Sequence, residues 1–124
     1  MALSALLAFR ASYDSDADAV GRLFVGYLAA GQIDQAYDLT HRLLRVRASR
    51  EQFRQVFYPR FAQLGRVTEV TGLRWERGTS RGARYARLMY RVHGSAKSAT
   101  LDLVLKRDQG KWRISSVNLN TDSR

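Results

Sequence analysis

Few side chains in this sequence are of the kinds that carry reactions, and their spacing limits what those reactions can be. Tyr27 and Tyr90 offer phenol donors, Asp34 and Asp38 sit one helical turn apart, and His41 and His93 are the two histidines. Proton abstraction beside a carbonyl needs a carboxylate base and a phenol inside one dry pocket. Asp34 and Asp38 fall on a predicted helix, where capping and solvent-facing roles are the commoner ones. Glu69 and Asp102 fall on the outward face of a predicted sheet. A carboxylate is therefore not expected among the apolar residues, which argues against an enzyme. The histidines lie on different elements with no acid or second histidine at ligand spacing, so neither a metal nor a cofactor is expected. Asp14, Asp16 and Asp18 alternate as in a calcium loop but lack its central glycine and closing glutamate, and they read instead as acids at the positive end of a helix. Trp75, Tyr85 and Arg87 form the remaining cluster. A basic sheet face with aromatics can stack and neutralise single-stranded nucleic acid, although no RNP-like phrase accompanies these residues.

The placement of these residues depends on the stretch from Arg66 to Asn120, which alternates as four strands joined by the turns Gly78–Gly82, Gly94–Ser98 and Asp108–Gly110. A slip of one residue would turn a strand's apolar set to the wrong face, so the hydrophobic pattern constrains the register. Closing the first hairpin with Arg77 opposite Ala83 pairs Trp75 with Tyr85 and Glu69 with Arg91. Leu101, Leu103 and Leu105 then face Val92, Tyr90 and Leu88, while Leu105 and Leu103 meet Trp112 and Ile114. One face collects Val70, Gly72, Leu88, Tyr90, Val92, the three leucines, Trp112 and Ile114 as the core. The alternation breaks at Ser115-Ser116, where a β-bulge is predicted.

The helices all precede the sheet. Ala19, Val20, Leu23, Phe24, Tyr27 and Leu28 recur at helical spacing until Gly31. Ile33, Ala36, Tyr37, Leu43 and Leu44 mark a second amphipathic helix with Thr40 as the polar member of its stripe. Ser49 and Gln52 form a capping box for a third, which carries Phe53, Val56, Phe57, Phe61 and Leu64 inward and which Pro59 should kink or split near Tyr58. The fold class is thus α+β, three N-terminal helices packed on a curved four-stranded antiparallel meander sheet. Residues 1–14 read as an N-terminal extension or helix start, 15–120 as one domain and 121–124 as a tail.

The chain of 124 residues has 21 basic and 11 acidic side chains, a net charge of +10, and no cysteine. Residues 1–41 hold two arginines against five aspartates, net −3, and the remainder carries +13. That asymmetry favours an acidic protein or a polyanion as the partner of the sheet half. Met1 to Phe9 is apolar but too short to span a bilayer, so membrane association is expected only through a missing or trimmed N-terminal segment.

Helices followed by a meander, with Gly31-Gln-Ile-Asp-Gln-Ala-Tyr-Asp-Leu39 opening the second helix, a Ser49 to Phe53 helix start and a last hairpin from Leu103 to Ile114 containing Gly-Lys-Trp-Arg-Ile, resemble the nuclear-transport-factor-two-like (cystatin-like) superfamily, closest to its small bacterial domains. The resemblance covers about residues 17–119. It implies an α+β cone, and because that superfamily includes isomerases, dehydratases, ligand carriers and secretion-system scaffolds, it leaves function open. It also implies a bacterial protein, periplasmic or associated with the cell envelope ahead of cytoplasmic.

Two sites are expected on this framework. Tyr27, Tyr37, Leu88, Tyr90 and Trp112 would line an apolar pocket inside the cone. The outer sheet face would place Leu73, Trp75, Tyr85, Met89 and Val104 at an apolar centre. A basic row of Arg87, Lys106 and Lys111, with Arg113 beside it, would form the rim, while Arg91 would be neutralised between Glu69 and Asp102. The leading functional reading is a non-catalytic binding or scaffold module acting through that face, as a homodimer or in an envelope-associated assembly. A small-molecule pocket protein or isomerase-like enzyme is one alternative, and a nucleic-acid or polyanion binder is the other.

Overall fold

Four helices and four strands order the chain in the computed structural model, which describes residues 16–122. They are α1 (Ala17–Ala29), α2 (Ile33–Tyr37), α3 (Arg42–Arg47) and α4 (Arg50–Ala62), followed by β1 (Val67–Ser80), β2 (Ala83–Gly94), β3 (Ser98–Asp108) and β4 (Lys111–Thr121). The strands form one antiparallel sheet in the order β1-β2-β3-β4. The α+β class with the helices first matches expectation, with four helices in place of three among the described residues. The expectations for Met1 to Phe9 and for Tyr13 to Ser15 lie outside the described residues.

The extra helix arises where a single second helix was predicted. His41 N–H donates to the Ile114 carbonyl at 2.7 Å and Ile114 N–H donates to the Leu39 carbonyl at 2.9 Å, so the chain turns at Asp38 and Leu39 and makes a parallel bridge from Thr40 to β4 before α3 begins. Satisfying the backbone of an edge strand outweighs one more turn of helix. Thr40 is buried there and donates to the Tyr37 carbonyl, while Leu43, expected inside, is 51% exposed. The opposite correction applies at Pro59, since α4 continues unbroken to Ala62. A proline forfeits only the bond to the carbonyl four residues back, and Gln55 and Pro59 both lie on the exposed side where water serves that carbonyl. The Ser49–Gln52 capping box is present as read.

His41 also caps α3, its Nδ1 accepting from the Leu43 N–H at 3.1 Å. Burial holds its pKa below the usual 6.5, against an opposing pull from Asp108. The unfolded chain therefore binds the proton more readily, and stability falls as pH drops through 6.5 toward the folded value. Urea midpoints taken between pH 7.5 and 5 should decline with acid, and His41→Asn, which keeps a capping acceptor, should flatten that decline.

The turns set a register different from the one expected. Arg81 and Gly82 both have positive φ (54° and 79°), as do Gln109 and Gly110 (55° and 81°), so the first and last hairpins close on two-residue turns of the primed kind. In β2 and β3, Leu101, Leu103 and Leu105 lie opposite Tyr90, Leu88 and Ala86, two residues from the predicted partners. A shift of two preserves the faces. Leu88, Tyr90, Val92, Leu101, Leu103, Leu105, Trp112 and Ile114 are all buried as predicted. β4 carries the predicted bulge, with Ser115 between Ile114, opposite Leu105, and Ser116, opposite Val104. Its hydroxyl donates to the Val104 carbonyl at 3.1 Å.

β1 departs furthest. Gly72 lies opposite Tyr90 and Arg74 opposite Met89, leaving Leu73 as an extra residue in a bulge. Beyond it Trp75 faces Leu88 rather than Tyr85, so Trp75 and Arg77 point to the helix side of the sheet. Gly72, placed on the core face, is exposed there.

Candidate functional site

The bulge in β1 creates the site. β1 is an edge strand of 14 residues, and α1 packs on β2, β3 and β4. The helix-side face of β1 beyond Gly72 is left unroofed, and a cleft of about 420 Å³ opens between it and the first turn of α1. Leu88 and Tyr90 form its floor, Leu73, Trp75 and Arg77 one wall, and Asp16, Asp18 and Arg22 the other.

α1 approaches the floor closely because residue 21 is glycine. A Cβ there would fall 2.7 Å from both Leu88 Cδ1 and the Tyr90 hydroxyl oxygen. We expect Gly21→Val to cost about 1–3 kcal/mol by overpacking, readable as a lower urea midpoint with an unchanged m-value. The helix begins with Asp16 as N-cap, accepting from the N–H groups of Asp18 at 3.0 Å and Ala19 at 3.4 Å. One residue into the helix, Asp18 accepts from the Tyr90 hydroxyl at 2.6 Å and from Arg22 Nε at 3.1 Å. The Arg22 guanidinium also lies over the Tyr90 ring, 5.3 Å from its centre. Burial, with the hydrogen bond to Asp18 second, drives the Tyr90 pKa far above its usual 10.0, so this phenol is a donor at neutral pH.

Opposite this fixed polar floor the wall is open. Trp75 is 61% exposed and Leu73 51%. Arg77 stacks on Trp75 with its guanidinium carbon 5.1 Å from the ring centre. An exposed indole stacked by Arg77, with Arg22 across the cleft, suits a flat or apolar body bearing an acidic group. Among the described residues no group of histidine, cysteine and acidic side chains is placed to hold a metal ion.

None of the concavities described among residues 16–122 collects all five residues predicted to line a pocket. Leu88 and Tyr90 belong to the cleft floor. Tyr37 is buried, bonds the Ala48 carbonyl at 2.7 Å and packs on Phe53 at 5.4 Å, while Trp112 is buried under Arg107. Tyr27 is a partly buried residue packed against the core. Tyr37 and Trp112 are packed into the core instead.

Nor does the outer sheet face assemble as predicted. Tyr85, Arg87, Met89, Val104, Lys106, Lys111 and Arg113 share it by register. Trp75 lies on the other side of the sheet, and Leu73 sits in the bulge at the cleft. The stacking platform for single strands expected from Trp75, Tyr85 and Arg87 is therefore not formed. Arg87 is bonded to Asp102 at 2.9 Å, and Arg91 pairs with Asp122 and with Thr100 rather than with Glu69 and Asp102. Asp122, read as tail, extends a β4 that runs through Thr121, and its pairing with Arg91 holds its carboxyl below the usual range.

No family model, no curated protein and no solved structure matches this chain. The site thus rests on its own geometry. Sequence reasoning missed Asp18, taken as a helix-start acid, because its approach to Tyr90 spans 72 residues of chain. The one local signal was its i,i+4 spacing from Arg22.

Proposed function

We propose that the protein is a binding module that receives a small amphipathic anion in the cleft between α1 and β1, with the apolar body against Trp75 and the acid toward Arg77 and Arg22. The observation that carries this reading is the exposed Trp75, turned by the β1 bulge onto the helix side above Leu88. A large indole held open in a cleft with two guanidiniums, Arg77 and Arg22, is an uncommon surface feature unless something covers it. The Tyr90–Asp18–Arg22 group supports binding rather than proton transfer, because the carboxylate is already committed to two donors. A nuclear-transport-factor-two-like fold accords with this proposal through its element order.

The test is a titration of tryptophan emission with a panel of aromatic and aliphatic carboxylates, taking the difference between the native chain and Trp75→Phe. We expect a saturable change for at least one aromatic acid, together with a raised melting temperature, and a roughly tenfold weaker response in Arg77→Ala. A panel that neither perturbs Trp75 nor stabilises the fold sinks the proposal.

A second reading, a homodimer through the outer sheet face, keeps one specific support. Met89 and Val104 are adjacent to the Arg87–Asp102 pair with no described element over them. Sedimentation of the native chain against Met89→Asp decides it, a monomer in both cases removing the dimer.

A further inference from the structure

A second concavity of about 600 Å³ lies at the opposite edge of the sheet, between α3, α4 and β4. Its floor is Leu44, Phe53, Phe57 and Val117, and its lip is Val56, 46% exposed. No carboxylate lines it. Arg47 lines one end and donates from α3 to the Ser115 carbonyl at 3.2 Å, and Arg60, one helical turn beyond Val56 and outside the lining, donates from α4 to the Leu119 carbonyl at 3.3 Å past the other end.

Six other guanidiniums are compensated by acids, and Arg45, also held by a backbone carbonyl (that of Asp38, 2.9 Å), does not line the groove. Arg22, Arg42, Arg50, Arg54, Arg87 and Arg91 each meet an aspartate. Arg47 and Arg60 are held by backbone carbonyls and have no carboxylate within ion-pair distance among the described residues. A carbonyl orients a guanidinium without neutralising it, so a positioned, uncompensated charge stands at one end of the groove and another past the other end. The carbonyls they hold belong to an edge strand, which blocks addition of a further strand at those points.

We propose that this groove docks an amphipathic helix of a partner protein that carries acidic residues at both ends of its apolar stripe. The charge pattern selects the occupant: an apolar floor between two cations matches an apolar stripe between two carboxylates. The spacing agrees, since Ser115 to Leu119 spans about 13 Å of strand and two helical turns rise about 11 Å.

The probe is a labelled 14-residue peptide (length chosen as roughly four helical turns) with leucines at i, i+3 and i+4 and glutamates at i−1 and i+7, about 12 Å apart along the axis. Its glutamine and lysine counterparts serve as comparisons, and binding to the full chain is read by fluorescence anisotropy. We expect the glutamate peptide to bind, the glutamine peptide to bind about tenfold more weakly, and Arg47→Glu to reverse the preference toward lysine. Val56→Asp should weaken binding by at least about tenfold with little change in melting temperature, because this side chain is half in water, which keeps the test valid if Arg47→Glu folds poorly. Equal binding of the glutamate and glutamine peptides overturns the proposal, as does indifference to Val56→Asp. Capture of the chain by anionic lipid vesicles in place of the peptide, lost in Val56→Asp, would assign the groove to a membrane surface and also overturn it.

Discussion

Gly94→Ala is expected to lower the melting temperature by roughly 10–20 °C, one of the two largest effects anticipated here. A Cβ on residue 94 would lie 2.2 Å from the Leu64 carbonyl oxygen and 2.5 Å from that of Lys97. Both are backbone atoms, and neither can swing away. The Leu64 carbonyl accepts from Ala96 N–H at 2.9 Å and Lys97 N–H at 3.3 Å, Ser95 N–H reaches the Arg66 carbonyl, and Arg66 N–H reaches the Ser95 hydroxyl. The turn between β2 and β3 is thereby stapled to the connection from α4 into β1. Relieving the clash would strain or break two of those bonds at about 1 kcal/mol each and add about 1–3 kcal/mol of overpacking, a total near 3–5 kcal/mol. That is a large part of the roughly 5–15 kcal/mol by which a domain of this size is stable. Gly26→Ala is the matched control. Nothing lies within 4 Å of where a Cβ on Gly26 would sit in α1, so the better helix former should raise stability by up to about 1 kcal/mol. Calorimetry of the two variants checks both, and a Gly94→Ala protein as stable as the native chain would refute the staple.

Tyr90→Ala is the second, at about 3–5 kcal/mol, because its ring is 1% exposed beneath α1. Tyr90→Phe keeps the ring and loses only the hydroxyl bond to Asp18, for about 1–2 kcal/mol, since Asp18 retains Arg22 and water. The ratio of the two losses in urea separates packing from the hydrogen bond. Alkali offers an independent reading. Raising a phenol's pKa in the fold favours its protonated form there, while the unfolded chain ionises near 10.0. Stability is fully present below that pH and declines as pH rises above it, and Tyr90→Phe should remove this part of the decline.

What could be read from the residues in order was what depends on neighbours in the chain. The capping box at Ser49 and Gln52, the stop at Gly31, the core set from Leu88 to Ile114 and the bulge at Ser115 all follow from local backbone chemistry and period-two burial. A register error of two residues left that core intact because it returns each side chain to its own face. The candidate site depended on what such reasoning does not contain. A turn of two residues at Arg81-Gly82, where five had been read, moved the β1 partners by an odd number, and the Leu73 bulge absorbed the difference, so Trp75 left the outer face for the cleft. Asp18 became a partner of Tyr90 only when α1 settled on Gly21, and the second helix broke at Thr40 only because β4 supplied a backbone partner. Sequence alone determined which residues must be buried, since hydrophobic period is a property of the chain. The tertiary structure decided which polar and aromatic groups meet, because those distances are set by turn length, bulges and the close approach of elements far apart in sequence.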